Sequence, residues 1–345
     1  MNSLFFPDIK VQDEKLYLLF GAFVIAVLLV ALLTPVSMKL AQKWNIVDLP
    51  DKERHLHKKA TPVLGGLAIY IAFIVTFFIV VLYRHHVHSE VISDILNPRV
   101  QGLLVGSTII MIVGLIDDRF DMNAKVKLLF QILAACVLVL PWFNVCFTVV
   151  GGHDLNALWY IGNFAVPLGS IATVFWVVLI CNTINLMDGL DGLAAGIVAI
   201  AAITFVLISI FLIGSIGMAI LASILAGVTV GFLFYNFNPA KTFMGDSGAL
   251  FLGYIIATLS VLQNWKMATI VALGMPILVL SVPICDITFA VIRRLLNGKS
   301  PFAADRGHLH HRLLDSGLSQ KRTVLIIYGL TIAGCIIALT LFRGQ

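Results

Sequence analysis

Charge is scarce in this sequence. Asp, Glu, Lys and Arg make up 12% of its 345 residues, where a soluble globular domain carries about a quarter. Hydrophobic residues reach 60%, and mean hydropathy is +1.01. This excludes a soluble globule and leaves nothing over for a separate soluble domain, so residues 1–345 read as one integral-membrane domain. Cysteine is sparse too: Cys136, Cys146, Cys181, Cys285 and Cys335 are scattered, with no CxxC pair, which supports neither a zinc site nor a disulfide framework. No internal repeat is visible. The net charge of +5 does not signal a nucleic-acid partner, because the basic residues sit at the ends of apolar runs, where topology signals belong.

What the chain has in quantity is apolar runs of spanning length. Ten stretches approach the roughly 20 residues that cross a bilayer as a helix: 16–39, 62–83, 100–117, 125–141, 165–182, 192–213, 216–235, 247–264, 267–293 and 323–343. The expected architecture is an all-α polytopic membrane protein of about ten transmembrane helices. The first run, Leu16 to Met38, is too long for a signal-peptide core and lacks a small-residue cleavage site after it, so it reads as a retained helix. The uncharged stretch from Gly192 to Ala240 must be two helices, turning near Gly214-Ser-Ile-Gly217. Pro276 and Pro283 predict a kinked ninth helix. Residues 142–164, with Val145-Cys-Phe-Thr-Val-Val150 followed by Gly151-Gly-His-Asp154, predict a short external β-hairpin.

Lys and Arg set the orientation. If both termini share one side, the opposite loops hold 17 of the 23 basic residues, from Lys39 through Lys58, Arg119, Lys127, Lys241 and Arg293 to Arg322. The positive-inside rule makes that side cytoplasmic and both termini extracytoplasmic. The main polar clusters fall in the same loops.

Five clusters carry chemistry-bearing residues. Asp117-Asp118 closes the third run; adjacent carboxylates raise each other's pKa unless a cation compensates, although simple helix termination in solvent, partnered by Arg119 and Lys125, is the alternative. Asn182-Thr-Ile-Asn-Leu-Met-Asp-Gly-Leu-Asp-Gly192 packs two amides, two carboxylates and two glycines between apolar runs. Asp188 and Asp191 would share a face if the next helix begins there. Capping of that helix by Asp188 and Asp191 is a rival account, but it leaves Asn182 and Asn185 unexplained. Tyr235-Asn-Phe-Asn-Pro-Ala-Lys-Thr-Phe-Met-Gly-Asp-Ser-Gly248 brings Asp246 to the edge of the eighth run, where a divalent ion could meet it; Phe243 could stack on a planar base or simply anchor. Asp305-Arg-Gly-His-Leu-His-His-Arg312 sets His308, His310 and His311 between arginines, a pattern suited to a polyanion, with a transition-metal site as the rival. Lys58-Lys-Ala-Thr-Pro-Val-Leu-Gly-Gly66, after His55 and His57, is by itself a basic juxtamembrane loop. His85-His-Val-His88 lies across the bilayer and reads as a solvated tract. Asp286 sits deep in the ninth run and should face a cavity or a partner.

Gly-Leu-Ile-Asp117-Asp118, Asn182-x-x-Asn185-x-x-Asp188-Gly-x-Asp191-Gly, Phe243-Met-Gly-Asp246 and His308-Leu-His310-His311 stand in that order over nearly the whole chain, from about Trp44 to Tyr328. In this the sequence resembles the polyprenyl-phosphate N-acetylhexosamine-1-phosphate transferases, of the glycosyltransferase family 4 type. The resemblance implies a reaction in which a lipid phosphate attacks the β-phosphate of a UDP-sugar and releases UMP. It implies Mg²⁺, with Mn²⁺ as a substitute, and an active site on the cytoplasmic face of the cell membrane. It implies Asp246 as metal ligand, Asp117 and Asp118 as the pair acting on the lipid phosphate, and Lys58, Asn185, Asp188, Asp191, Asn236 and Phe243 along the nucleotide site. Members of the family often pair, which makes a homodimer an expectation. The loop Asp305-Arg-Gly-His-Leu-His-His-Arg-Leu, and Val63 where a threonine is frequent, resemble the branch that initiates enterobacterial antigen and teichoic acid rather than the branch that makes lipid I from UDP-MurNAc-pentapeptide. That favours UDP-GlcNAc as donor and undecaprenyl phosphate as acceptor.

The residues assign roles of their own. Phosphoryl transfer needs positioning and charge neutralisation, so Mg²⁺ on Asp246 and Asp191 would meet the diphosphate, with Asn182 among the polar groups around it. His308, His310, His311 and Arg312 would neutralise charge on the leaving UMP. A phosphate monoester has a second pKa of about 6, so a base at Asp117 or Asp118 could gain only about 1 kcal/mol or less. The pair is therefore expected to bind metal or to fix Lys125 or Lys127. The kinked ninth helix is the expected groove wall for the lipid. A secondary transporter is the rival class, but carriers place polar groups near the midplane, whereas here the carboxylates, Asp286 excepted, gather on one side.

Overall fold

Every one of the ten apolar runs carries a helix in the computed structural model, which describes residues 13–48, 60–87, 97–150, 153–155, 158–161, 164–263, 277–296, 298 and 308–341. The helices are α1 (Asp13–Lys43), α2 (Gly65–Val87), α3 (Pro98–Phe120), α4 (Ala124–Val139), α5 (Leu168–Met187), α6 (Leu193–Ile208), α7 (Ile216–Asn236), α8 (Gly245–Gln263), α9 (Ser281–Leu296), the short α10 (Leu309–Asp315) and α11 (Gln320–Leu341). Eight are long and apolar enough to cross a membrane. Helices α4 and α9, at 16 residues each, fall short of that length among the described residues. The protein is an all-α polytopic membrane protein.

Caps and breakers set the boundaries. The Asn97 side chain accepts from Val100 N at 3.0 Å ahead of Pro98, the first residue of α3. The uncharged stretch turns where expected. Helix α6 runs into a π-helical segment, Ser209–Ile213, and Gly214 at φ +71° ends it in a conformation that favours glycine. Residues 277–279 are helical, Leu280 is a turn, and the helix resumes at Ser281. Pro283 thus sits in the first turn of α9, where a missing N–H breaks no helical bond; Pro276 lies outside the described residues. Two small ribbons stand where one hairpin was expected. Val149–Val150 (β3) pairs antiparallel with His153–Asp154 (β4), and Leu158–Ile161 (β5) with Phe164–Pro167 (β6). A third ribbon pairs Val47–Asp48 (β1) with Thr61–Pro62 (β2).

Helices α7 and α8 form the centre, with 83% and 89% of their spans buried, whereas α1 and α11 are peripheral at 28% and 33%. Lipid tails are as apolar as leucine, so packing rests on small residues and interhelical hydrogen bonds. Gly227 and Gly231 of α7, four residues apart, admit the α1 backbone around Phe23, Ala26 and Val27. Ser223 Oγ donates to Leu19 O at 2.9 Å, and Tyr235 O–H to Ala31 O at 3.0 Å, across the same seam. Gly114 of α3 lies against the Ser247 backbone of α8. That contact brings the end of α3 onto the start of α8, where the site is built.

Candidate functional site

Asp246 occupies the first turn of α8, so its carboxylate stands at the positive end of the helix dipole. Asp118, from the last turn of α3, accepts hydrogen bonds from Asp246 N at 2.6 Å and Ser247 N at 3.2 Å. It thus caps α8 from another helix. Gly245, at φ +69°, is held against that carboxylate. Asp117, buried one residue earlier, accepts from Met122 N at 2.7 Å and pairs with Lys127 Nζ. Lys127 reaches Asp246 Oδ2 at 2.5 Å as well, while Asn185 Nδ2 donates to Asp246 Oδ1 at 2.5 Å. Four helices, α3, α4, α5 and α8, therefore meet at one carboxylate. Of the two lysines expected to serve the aspartate pair, Lys127 is the one that does so.

Residues 182–187 are the last turns of α5, and a turn at 188–192 follows where a helix start was expected. Asp188 caps α5, and α6 begins at Leu193 after Gly192 at φ +79°, so Asp188 and Asp191 do not share a helical face. Burial pushes the Asp188 carboxyl well above the usual carboxylate range, and the negative charges of Asp246, Asp118 and Asp191 push it the same way. Asp191 accepts from Asn238 Nδ2 at 2.9 Å and Ala240 N at 3.0 Å. Asn236, fully buried, accepts from Gly192 N at 3.1 Å and donates to Thr242 O at 3.0 Å. Asn182 donates to Gln131 Oε1 at 2.6 Å and to Val178 O at 2.8 Å. Asp191, Asn236 and Asn182 thus brace the walls, whereas Asn185 and Asp188 belong to the carboxylate cluster.

The loop ahead of α2 closes another side. Gly65 N donates to Phe243 O and Gly66 N to Met244 O, both at 2.9 Å, and Phe243 N returns a bond to Pro62 O. A side chain at Gly66 would strike the Gly248 backbone, so glycine is required for this approach. Phe243 itself is half-buried. Lys58, His55 and His57 lie outside the described residues, as do Asp305 and Arg306.

The histidine motif arrives from the far end of the chain. His308 precedes α10, with Nδ1 2.9 Å from Asp286 Oδ2. His308 and His310 stack nearly parallel, 7° apart with centroids at 5.9 Å, and His311 tilts against His310 at 4.3 Å. His310 is buried facing Gly189, next to Asp188, and its Nδ1 makes no hydrogen bond among the described residues. Burial pulls the His310 pKa down to about 4, with the neighbouring His311 acting the same way. The three histidines are therefore not a uniform cationic patch. Arg312 is exposed.

Sequence reasoning missed Gln131, Asn238 and Tyr328. Tyr328 O–H donates to Gly192 O at 2.5 Å, tying α11 to the turn at 188–192. Gln131 had a signal: it stands one turn after Lys127 on the same face of α4.

No group of three or more His, Cys, Asp or Glu among the described residues is arranged to hold a metal unaided. Mg²⁺ takes one or two carboxylates and completes its shell with phosphate and water oxygens, so a protein cage is not needed. Lys127 balances Asp117 and Asp246, while Asp118 and Asp188 have no ion-pair partner among the described residues. That surplus of carboxylate fits a divalent cation.

Long apolar helices whose ends bring carboxylates, amides and histidines together define a polytopic membrane protein with a polar site built from distant loops. The sequence profile described as Glycosyl transferase family 4 matches residues 100–264. The chain is 40% identical over 320 residues to the probable undecaprenyl-phosphate N-acetylglucosaminyl 1-phosphate transferase of Bacillus subtilis (strain 168), covering 92% of this chain and 83% of that one. It is 37% identical over 321 residues to the decaprenyl-phosphate N-acetylglucosaminephosphotransferase of Mycobacterium tuberculosis (strain ATCC 25618 / H37Rv), covering 85% and 75%. It is 31% identical over 320 residues to the phospho-N-acetylmuramoyl-pentapeptide-transferase of Staphylococcus carnosus (strain TM300), covering 89% and 92%. The protein belongs to glycosyl transferase family 4.

Proposed function

We propose that this protein transfers GlcNAc-1-phosphate from UDP-GlcNAc to a polyprenyl phosphate, undecaprenyl phosphate by preference, and releases UMP. The observation that carries this reading is the meeting of Asp117, Asp118, Lys127, Asn185 and Asp246 at the first turn of α8. The named activities of the 40% and 37% identical relatives support the sugar. The lower identity to the muramoyl-pentapeptide transferase, with the His308-Leu-His310-His311 loop, disfavours lipid I synthesis. A transporter reading is disfavoured because the carboxylates gathered around Asp246 sit at helix ends and not at mid-helix. With Lys and Arg concentrated in the same loops, the site faces the cytoplasm and both termini lie outside.

In this reading an oxygen of the lipid phosphate forms a bond to the β-phosphorus, and the bond from that phosphorus to the UMP oxygen breaks. Asp246, and Asp191 through its remaining oxygen, would hold Mg²⁺, which supplies charge neutralisation at the diphosphate. Asn185 and Lys127 fix the Asp246 carboxylate, and Asp118 fixes its backbone. Neutral His310 donates a hydrogen bond to the leaving phosphate, and exposed Arg312 adds charge at the rim. Asp117 and Asp118 hold Lys127 and the start of α8; as proton acceptors they would gain little from an acceptor that is already largely dianionic at pH 7.

The test is UMP release by purified protein in detergent, with UDP-GlcNAc, UDP-GalNAc or UDP-MurNAc-pentapeptide as donor. The expected outcome is release with UDP-GlcNAc that requires both polyprenyl phosphate and Mg²⁺. Release with the pentapeptide donor alone, or none with any donor, would overturn the reading.

A further inference from the structure

Outside the carboxylate cluster, a second polar construction among the described residues joins α9 to α10. Helix α9 has two faces. Pro283, Asp286, Ala290 and Arg294 point inward and are buried, at the spacing of one helical stripe, while Phe289, Ile292 and Leu296 are exposed. On the inner stripe, both Asp286 oxygens are engaged by the segment that starts the histidine motif. Oδ2 is 2.9 Å from His308 Nδ1, and Oδ1 accepts from Leu309 N at 2.7 Å. His308 Nε2 lies 3.5 Å from Arg294 Nη2.

These contacts fix the tautomer of His308. Arginine is a permanent cation and can only donate, so Nε2 of His308 is the acceptor and the ring proton sits on Nδ1, donated to Asp286. Both ring nitrogens are thereby committed inside the protein. Exposures of 4% for His308, 8% for Asp286 and 8% for Arg294 keep water from competing. At the same time Asp286 serves as the side-chain cap that His308 does not provide for α10. One carboxylate therefore orients a ring and the first turn of the helix carrying His310. That second ring stacks parallel on His308 and faces Gly189 beside Asp188.

We propose that Asp286, through His308 and with Arg294 behind it, is a positioning residue that aims His310 at the reacting phosphate, and that His308 itself has no contact with substrate. This rests on the transferase reading for what His310 does, and on the geometry alone for how it is held. It gives His308 a supporting part instead of the catalytic one that the histidine cluster first suggests.

The experiment compares full-length Asp286→Asn, His308→Ala, the double variant and Asp286→Glu with the unaltered protein in detergent. Hydrogen exchange over residues 309–315 is read by mass spectrometry, and kcat and KM for UDP-GlcNAc by UMP release. Asn at 286 keeps the size and one acceptor but loses the charge. Each single variant is expected to speed exchange over 309–315, with the double variant no faster than the quicker single. The expected kcat falls about ten- to a hundredfold, as when a histidine loses its orienting carboxylate, with KM within about twofold and partial recovery in Asp286→Glu. Unchanged exchange, additive effects, or a loss confined to KM would overturn the proposal. If the unaltered protein releases no UMP while exchange responds as expected, the transferase reading fails and the clasp stands. If UMP is released and Asp286→Asn matches the unaltered protein in exchange and kcat, the clasp alone fails.

Discussion

At the scale of single residues, the site is governed by how one lysine is shared. Lys127 bridges Asp117 and Asp246, two carboxylates that would otherwise repel at close range. Lys127→Met should remove that bridge while keeping an unbranched side chain, one atom shorter. Activity is expected to fall at least tenfold, with a lower thermal midpoint in detergent, because removing one partner leaves the others uncompensated. Asp117→Asn should weaken Mg²⁺ activation, read as a rise in the Mg²⁺ concentration for half-maximal rate, and leave the pH profile nearly unmoved. A variant restored by raised pH with unaltered Mg²⁺ dependence would show that Asp117 acts as a base after all. His310 supplies a pH signature. Its folded pKa of about 4 lies below the ordinary 6.5, so the unfolded chain binds more protons in between and stability rises with pH there. Its contribution is fully present above pH 6.5 and is lost as pH falls toward 4, by an amount on the order of 3 kcal/mol. His310→Gln should flatten this part of the unfolding profile between pH 4 and 6.5.

At the scale of elements, the site depends on how closely two helices approach. The start of α8 can be capped by Asp118 only because Gly114, one turn earlier in α3, lets the Ser247 backbone come in. Gly114→Leu should push α8 away and break the cap. Activity is expected to drop by more than tenfold, along with a lower yield of monodisperse protein. Gly21→Leu is the control, since nothing lies within 4 Å of the added carbon; it should behave as the unaltered chain in both measurements.

The helices were legible because a bilayer imposes length and apolarity on every span; each of the ten apolar runs carries a helix, and eight of these are of spanning length among the described residues. The turn at Gly214 was legible for a similar reason, as 49 uncharged residues exceed one crossing. The carboxylates of the site were readable because charge beside hydrocarbon is costly to keep. Their partners were not. Nothing in the pattern of residues says that Asn236 and Asn238 would reach back to Gly192 and Asp191, or that Asp286 would meet His308 across 22 positions. Those contacts depend on helix order and tilt, which apolar periodicity does not encode. Small ribbons escaped for the opposite reason: two- and four-residue strands leave too short a pattern to separate one hairpin from two.

At the scale of the whole molecule, the deepest helix is also the one that carries the reactive end. Helix α8 is enclosed along most of its length, and its first turn is gripped by Asp118 from α3, by the loop ahead of α2, and by Lys127 and Asn185 around Asp246. The middle of the site therefore has little liberty to reshape for a different donor. Divergence among relatives that use unlike sugars should therefore fall outside this grip, while the grip itself stays as it is.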